Sequence, residues 1–185
     1  MKKIIALALA ALMALGLFAC GETPNPDDKP TTAAGAPDPN EGTFAFDAAT
    51  EGGPVRFAIG EDPTEALAAL GEARNKNECA SCAADATDIT YDFVNYELTV
   101  TYPNFPDTQG AYLTGVKLID DTVTTPEGAY IDCDKATVQE LYAGYSLKEE
   151  GVELKYTLGR STLAFMFNEN NEAKQIQYGY LFDNA

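Results

Sequence analysis

Between Tyr91 and Phe182 the chain places apolar residues at alternate positions in a series of short runs, and this period limits its folds more than any other feature. Alternation belongs to a strand with one face on a core and the other toward water. The first group is Tyr91/Phe93, Tyr96/Leu98/Val100/Tyr102, and a strand from about Ala111 to Ile119 carrying Tyr112, Val116 and Leu118. The second is Val152/Leu154/Tyr156/Leu158, Leu163/Phe165/Phe167 and Ile176/Tyr178/Tyr180/Phe182. Turns are expected near Asn95, at Gly159-Arg160 and at Asn168-Glu169-Asn170-Asn171, whose asparagines tolerate left-handed backbone.

A short helix precedes each group. Asp62-Pro63-Thr64-Glu65 has a capping aspartate, a proline suited to the first helical position and a capping-box glutamate. Leu67 and Leu70 share a face, and Gly71 offers a left-handed exit. In the second half Asp134 or Thr137 caps a helix with Val138, Leu141 and Tyr142 on one side, ending near Gly144. Neither a three-strand sheet with one apolar face nor a two-turn helix is stable alone. The expectation is therefore an α+β domain over 43–185. Two tandem helix-plus-three-strand repeats, about 55–125 and 126–185, form an antiparallel sheet with both short helices packed on one face.

The first residues carry a different pattern. Met1-Lys2-Lys3 is followed by an uncharged apolar run from Ile4 to Phe18 and then Ala19-Cys20-Gly21. That is the order of a secretory signal peptide. The run of about 15 residues reaches roughly 22 Å as a helix, short of the ~30 Å bilayer core. Leu17-Phe18-Ala19-Cys20 resembles a lipobox, with Phe18 where a small or β-branched residue is usual. The resemblance implies a signal peptide over 1–19 and attachment to the membrane through diacylglyceryl-Cys20. Two acyl chains hold where one binds marginally. Pro24, Pro26, Pro30, Pro37 and Pro39 make 20–42 a solvated tether. The expected location is extracytoplasmic, on the outer face of the cell membrane.

Composition narrows the chemistry. The chain has 29 acidic and 12 basic residues, net −17, and losing Lys2 and Lys3 with the signal peptide makes this −19. Such a surface does not suit nucleic acid. Histidine is absent, which removes the commonest general base and zinc ligand together. The serines are Ser81, Ser146 and Ser161, none in a nucleophile-elbow setting. The acid pairs Asp120/Asp121, Asp132/Asp134, Glu149/Glu150 and Glu169/Glu172 do not match calcium-loop spacing. No catalytic residue, metal site or cofactor is expected.

Two features remain. Cys79-Ala80-Ser81-Cys82 is a C-x-x-C pair in a polar loop beside acids that oppose thiolate formation, without the βαβ setting of a redox protein. With Cys20 lipidated, Cys79, Cys82 and Cys133 are an odd set. Either Cys133 pairs with one of the other two, or C-x-x-C closes on itself. A Cys82–Cys133 bond is favoured, since it would staple the two repeats and close a long loop. The second feature is aromatic. Tyr91, Tyr96, Tyr112, Tyr156, Tyr178 and Tyr180 would form a binding platform if they lay on an uncovered sheet face, and would be core if they faced the helices.

Asp120-Asp121-Thr122-Val123-Thr124-Thr125-Pro126-Glu127-Gly128 and the preceding Tyr96–Pro103 strand resemble uncharacterised surface lipoproteins of Gram-positive gut bacteria. The doubled pattern is similar in fold to β-lactamase inhibitor protein and to SmpA/OmlA-type envelope lipoproteins. The resemblances imply no activity. The expected function is a non-catalytic binding module for a protein, peptide or envelope polymer. The alternative is an envelope enzyme or thiol redox partner built on Cys79 and Cys82.

Overall fold

The alternating runs become strands, and they belong to a larger sheet than the sequence pattern announces. A computed structural model describes residues 42–104 and 110–182. The expected signal peptide, Cys20, nearly all of the tether and the segment 105–109 lie outside the described residues. In chain order the elements are β1 (Ala45–Ala48), β2 (Val55–Ala58), α1 (Thr64–Leu70), β3 (Asn75–Ala80), β4 (Ala86–Asp92), β5 (Tyr96–Pro103) and β6 (Tyr112–Leu118). There follow α2 (Lys135–Leu141), β7 (Ser146–Glu150), β8 (Glu153–Leu158), β9 (Ser161–Phe167) and β10 (Ala173–Tyr180).

Strands β1 and β2 pair with each other, and the other eight form one sheet in the order β3-β4-β5-β6-β10-β9-β8-β7. Every pairing is antiparallel. Two four-strand meanders meet at β6 and β10, where Leu118 opposes Ile176, Val116 opposes Tyr178 and Gly115 opposes Gly179.

This corrects the expected α+β architecture of two helix-plus-three-strand repeats. The fold is mostly β, with two seven-residue helices among the described residues. Helix α1 buries no residue and α2 buries Val138. The expectation missed β3 and β7, the outer strands of the sheet, because every residue of both is exposed. Period-two patterning reports one-sided burial, so a strand wet on both faces leaves no such trace. The four-residue strands β1 and β2 are too short to display a period.

One face of the large sheet carries the core. Along β5, β6, β10, β9 and β8 it presents Leu98, Val100, Leu113, Val116, Leu118, Ile176, Tyr178, Leu163, Phe165, Leu154 and Tyr156, all buried. Onto it fold the β1–β2 segment, through Phe44, Phe46, Phe57 and Ile59, and α2, through Val138 with Tyr142. The Phe46 ring lies 4.9 Å from Tyr96 and 6.4 Å from Tyr178, and Tyr142 lies 5.0 Å from Tyr156 and 5.3 Å from Phe165. With tryptophan absent, phenylalanine and tyrosine supply this volume.

The loop from 119 to 134 is fastened by hydrogen bonds. Tyr142 Oη donates to Glu127 Oε2 (2.8 Å) and sits 2.7 Å from Thr125 Oγ1, while Tyr145 Oη donates to Glu127 Oε1 (3.0 Å). Burial, reinforced by Glu127, pushes the Tyr145 hydroxyl up to about 12. Asp134 caps α2 by accepting from the Thr137 amide (3.0 Å). By contrast, the hydroxyls of Tyr156 and Tyr178 are buried without a hydrogen-bond partner.

These tyrosines respond differently to loss of one oxygen. Tyr178→Phe removes an unpaired buried hydroxyl and is expected to leave unfolding free energy unchanged or raised. Tyr142→Phe abandons a carboxylate and a threonine and is expected to cost about 1–3 kcal/mol. Urea denaturation of both variants checks this. A Tyr178→Phe loss equal to that of Tyr142→Phe would contradict the assignment.

Candidate functional site

The other face of the sheet is built from short polar side chains, for a reason visible in the register. A single cross-strand row runs Asn77, Thr90, Thr99, Gly115, Gly179, Thr162, Thr157, Ser146, one residue from each of the eight strands. Nothing in it is larger than asparagine. Thr90 and Thr99 hydroxyls approach to 3.3 Å, and the Thr162 hydroxyl donates to the Gly179 carbonyl at 3.4 Å. Beside this row Thr101 Oγ1 lies 2.6 Å from Asp88 Oδ1 and 3.0 Å from Thr114 Oγ1.

Longer side chains flank the row and are tied among themselves. The ion pairs Glu97–Lys117 (3.5 Å) and Glu153–Lys155 (3.1 Å) border it, with Lys148–Glu150 (2.5 Å) on the β7 margin. Where Gly179 meets Thr162 and Ala164 the surface dips into a depression of about 220 Å³, bordered by Glu153, Lys155 and Gln177. A flat, hydroxyl- and amide-lined surface with a shallow centre can accept hydrogen bonds from, and donate them to, an extended polar partner.

The six tyrosines expected as a possible binding platform are distributed otherwise. Tyr156 and Tyr178 are fully buried on the core face. Tyr91, Tyr96 and Tyr180 are half-buried and pack against that same core. The Tyr112 ring lies 5.6 Å from that of Tyr180, tilted by 60°, with Phe182 beside both and the Arg160 guanidinium over Tyr180. The structure thus places most of them where they fill volume and does not assemble the six into one exposed face.

The cysteines are likewise apart. Cys79 and Cys82 are exposed at the β3–β4 hairpin, Cys133 is buried before α2, and all three are free thiols. Cys133 bonds through its carbonyl to the Ala173 amide (2.9 Å), which fixes it beside β10. Strands β4, β5 and β6 stand between β3 and β10, a separation of about 19 Å at ~4.8 Å per strand. A Cys82–Cys133 bond needs Cα atoms within about 7 Å, so the structure does not bring that pair together. Burial raises the Cys133 thiol's pKa, with Asp134 adding to it.

Sequence reasoning missed the threonine row. Thr90, Thr99 and Thr157 sit between apolar neighbours and Thr162 precedes Leu163, so only the inward residues of each strand draw notice. The usable signal is that the outward positions of five central strands hold mostly Thr, Gly, Ala and Gln.

Comparison with known proteins places the chain in no family: no family model matches, and no curated protein matches. Among solved structures it is similar to an extracellular protein containing a SCP domain from Bacillus anthracis str. Ames. Sequence identity is 15% and the TM-score 0.43, over 66% of this chain and 44% of that one. The chain thus spans less than half of that neighbour's length, and the likeness carries no argument about fold or function.

Thiol accessibility separates these placements directly. In the folded, reduced protein a maleimide reagent is expected to modify Cys79 and Cys82 rapidly and Cys133 only after denaturant is added. Native-state labelling of Cys133 at the rate of the other two would contradict its burial.

Proposed function

We propose that this chain is a membrane-anchored, extracytoplasmic lipoprotein whose domain is a non-catalytic binding module for a protein, peptide or envelope polymer. The observation that carries the reading is the division of the eight-stranded sheet. One face is covered by the β1–β2 segment and α2, while the other carries a row of threonine, glycine, serine and asparagine across all eight strands, exposed at Asn77 and Ser146 and buried at Gly115 and Thr162. A domain needs only one buried face for stability. A second face with a hydroxyl-rich row of small side chains between longer charged ones is suited to contact with another molecule.

The anchor rests on the sequence. Lys2-Lys3, the apolar run and Leu17-Phe18-Ala19-Cys20 are together the arrangement that lipoprotein processing requires, and the proline-bearing tether would hold the domain off the bilayer. The net charge of −19 left after loss of Lys2 and Lys3 keeps such a processed chain from lying against anionic lipid.

The test uses the intact lipoprotein on living cells with a photoreactive residue at one of two sites. At Thr157, on the open face, irradiation is expected to capture a discrete envelope partner. At Glu140, exposed on α2 over the core face, it is expected to capture none. Equal capture from both sites, or none at Thr157, would overturn the reading of the open face. Cys20→Ser is expected to release the protein from the membrane fraction. Its continued retention would overturn the lipid anchor.

A further inference from the structure

A second surface lies on the core side of the sheet, under α1. The helix packs Ala66, Leu67 and Leu70 on the core, each only partly buried, while Thr64, Leu67, Ala68 and Gly71 line its open side at helical spacing. Helix α1 buries no residue and leaves space above the strands. The result is a half-enclosed cavity of about 270 Å³ between α1 and β3, β4 and β5, completed by Ala73, Lys76, Tyr91, Phe93 and Tyr102.

Its polar groups are few and convergent. The Tyr91 and Tyr102 hydroxyls meet at 2.9 Å. One proton bridges the two oxygens, which leaves the other hydroxyl proton available to an acceptor. Lys76 opposes Tyr91 across the β3–β4 ladder and holds its ammonium 5.1 Å above the Tyr91 ring.

The charge of Lys76 is the telling feature. In this acidic chain Arg56, Arg74, Lys117, Lys135, Lys148, Lys155 and Lys174 each stand within 4.0 Å of a carboxylate. Among the described residues Lys76 makes no such pair and lies instead at an aromatic cavity's mouth. A cation left without a carboxylate, beside an unused hydroxyl proton and the apolar side chains of Leu67, Ala68 and Phe93, is complementary to a molecule with an acid at one end and a flat apolar body behind it.

We propose that this cavity binds a small aryl-substituted carboxylic acid, with its ring among Leu67, Ala68 and Phe93 and its carboxylate on Lys76 and the Tyr91–Tyr102 pair. The volume lies below the ~300–1,000 Å³ of drug-sized sites, which limits the occupant to a single ring with a short acid arm. This site is separate from the open sheet face and does not depend on the binding role proposed for that face.

The experiment is calorimetric titration of the lipidated protein in lipid nanodiscs with 3-phenylpropionate and with the neutral 3-phenylpropanamide, empty nanodiscs serving as the blank. The acid is expected to bind, and the amide about tenfold more weakly. Lys76→Met keeps an apolar stem at an exposed position and is expected to bring acid affinity down to that of the amide, leaving the amide unchanged. Ala68→Trp fills the cavity and is expected to abolish both. Nuclear Overhauser contacts from the phenyl ring to Leu67 and Phe93 in the unsubstituted protein locate the ligand without reliance on any variant. No binding of the acid, equal affinity for acid and amide, an unaffected Lys76→Met variant, or contacts to another surface would each overturn the proposal.

Discussion

The seam between β6 and β10 is the pairing on which the rest of the molecule depends. Each four-strand meander ends there, and the ladder Leu118–Ile176, Val116–Tyr178, Gly115–Gly179 converts two narrow sheets into one of eight strands. Fully buried side chains cluster around it. Tyr178, Ile176, Leu118 and Val116 lie on the seam, and Leu98, Leu163 and Phe165 lie one strand away on either side. A separate four-strand sheet would leave half of this surface wet, at a cost near 25 cal/mol for each Å² of apolar area. The β1–β2 segment then closes the seam from above, Phe44 and Phe46 both resting against Tyr178.

The same seam shapes the opposite face through its glycines. A Cβ on Gly179 would fall 3.0 Å from Thr162 Oγ1, and one on Gly115 would fall 3.5 Å from the Tyr178 carbonyl and 3.6 Å from Thr99 Cβ. A side chain at Gly179 would crowd Thr162, while one at Gly115 would meet its neighbours at ordinary contact distance, and either would raise a ridge across the middle of the polar row. Their absence leaves the flat, slightly hollowed surface that the binding proposal invokes. One strand pairing therefore seals the hydrophobic face and flattens the polar one.

How much of this was legible in the chain depends on burial. The central strands β5, β6, β8, β9 and β10 fall where alternation placed them, since each has one dry and one wet face. Both helices also fall near their start signals, although Asp62 binds the Thr64 amide and hydroxyl just ahead of α1 and gives the helix no side-chain cap. What stayed hidden was the outer strands, whose residues Asn75–Ala80 and Ser146–Glu150 have no dry face to reveal. Missing them halves neither the helices nor the core, but it changes the fold from repeated α+β units to one broad sheet. The binding surfaces were less legible still. Tyrosines attract notice in a sequence, yet here Tyr156 and Tyr178 are core, while the open face is written in threonine and glycine. Lys76 stands out only once the partners of the other cations are known.

Amide hydrogen exchange at the seam tests the central claim, that β6 and β10 unite the two halves into one cooperative sheet. The account predicts that the amides of Val116, Lys117, Gln177 and Tyr178 exchange only through global unfolding, as slowly as any in the domain. Exchange at β6 and β10 that is faster than within the β4–β5 and β8–β9 pairs would show two sheets opening independently, and would contradict it.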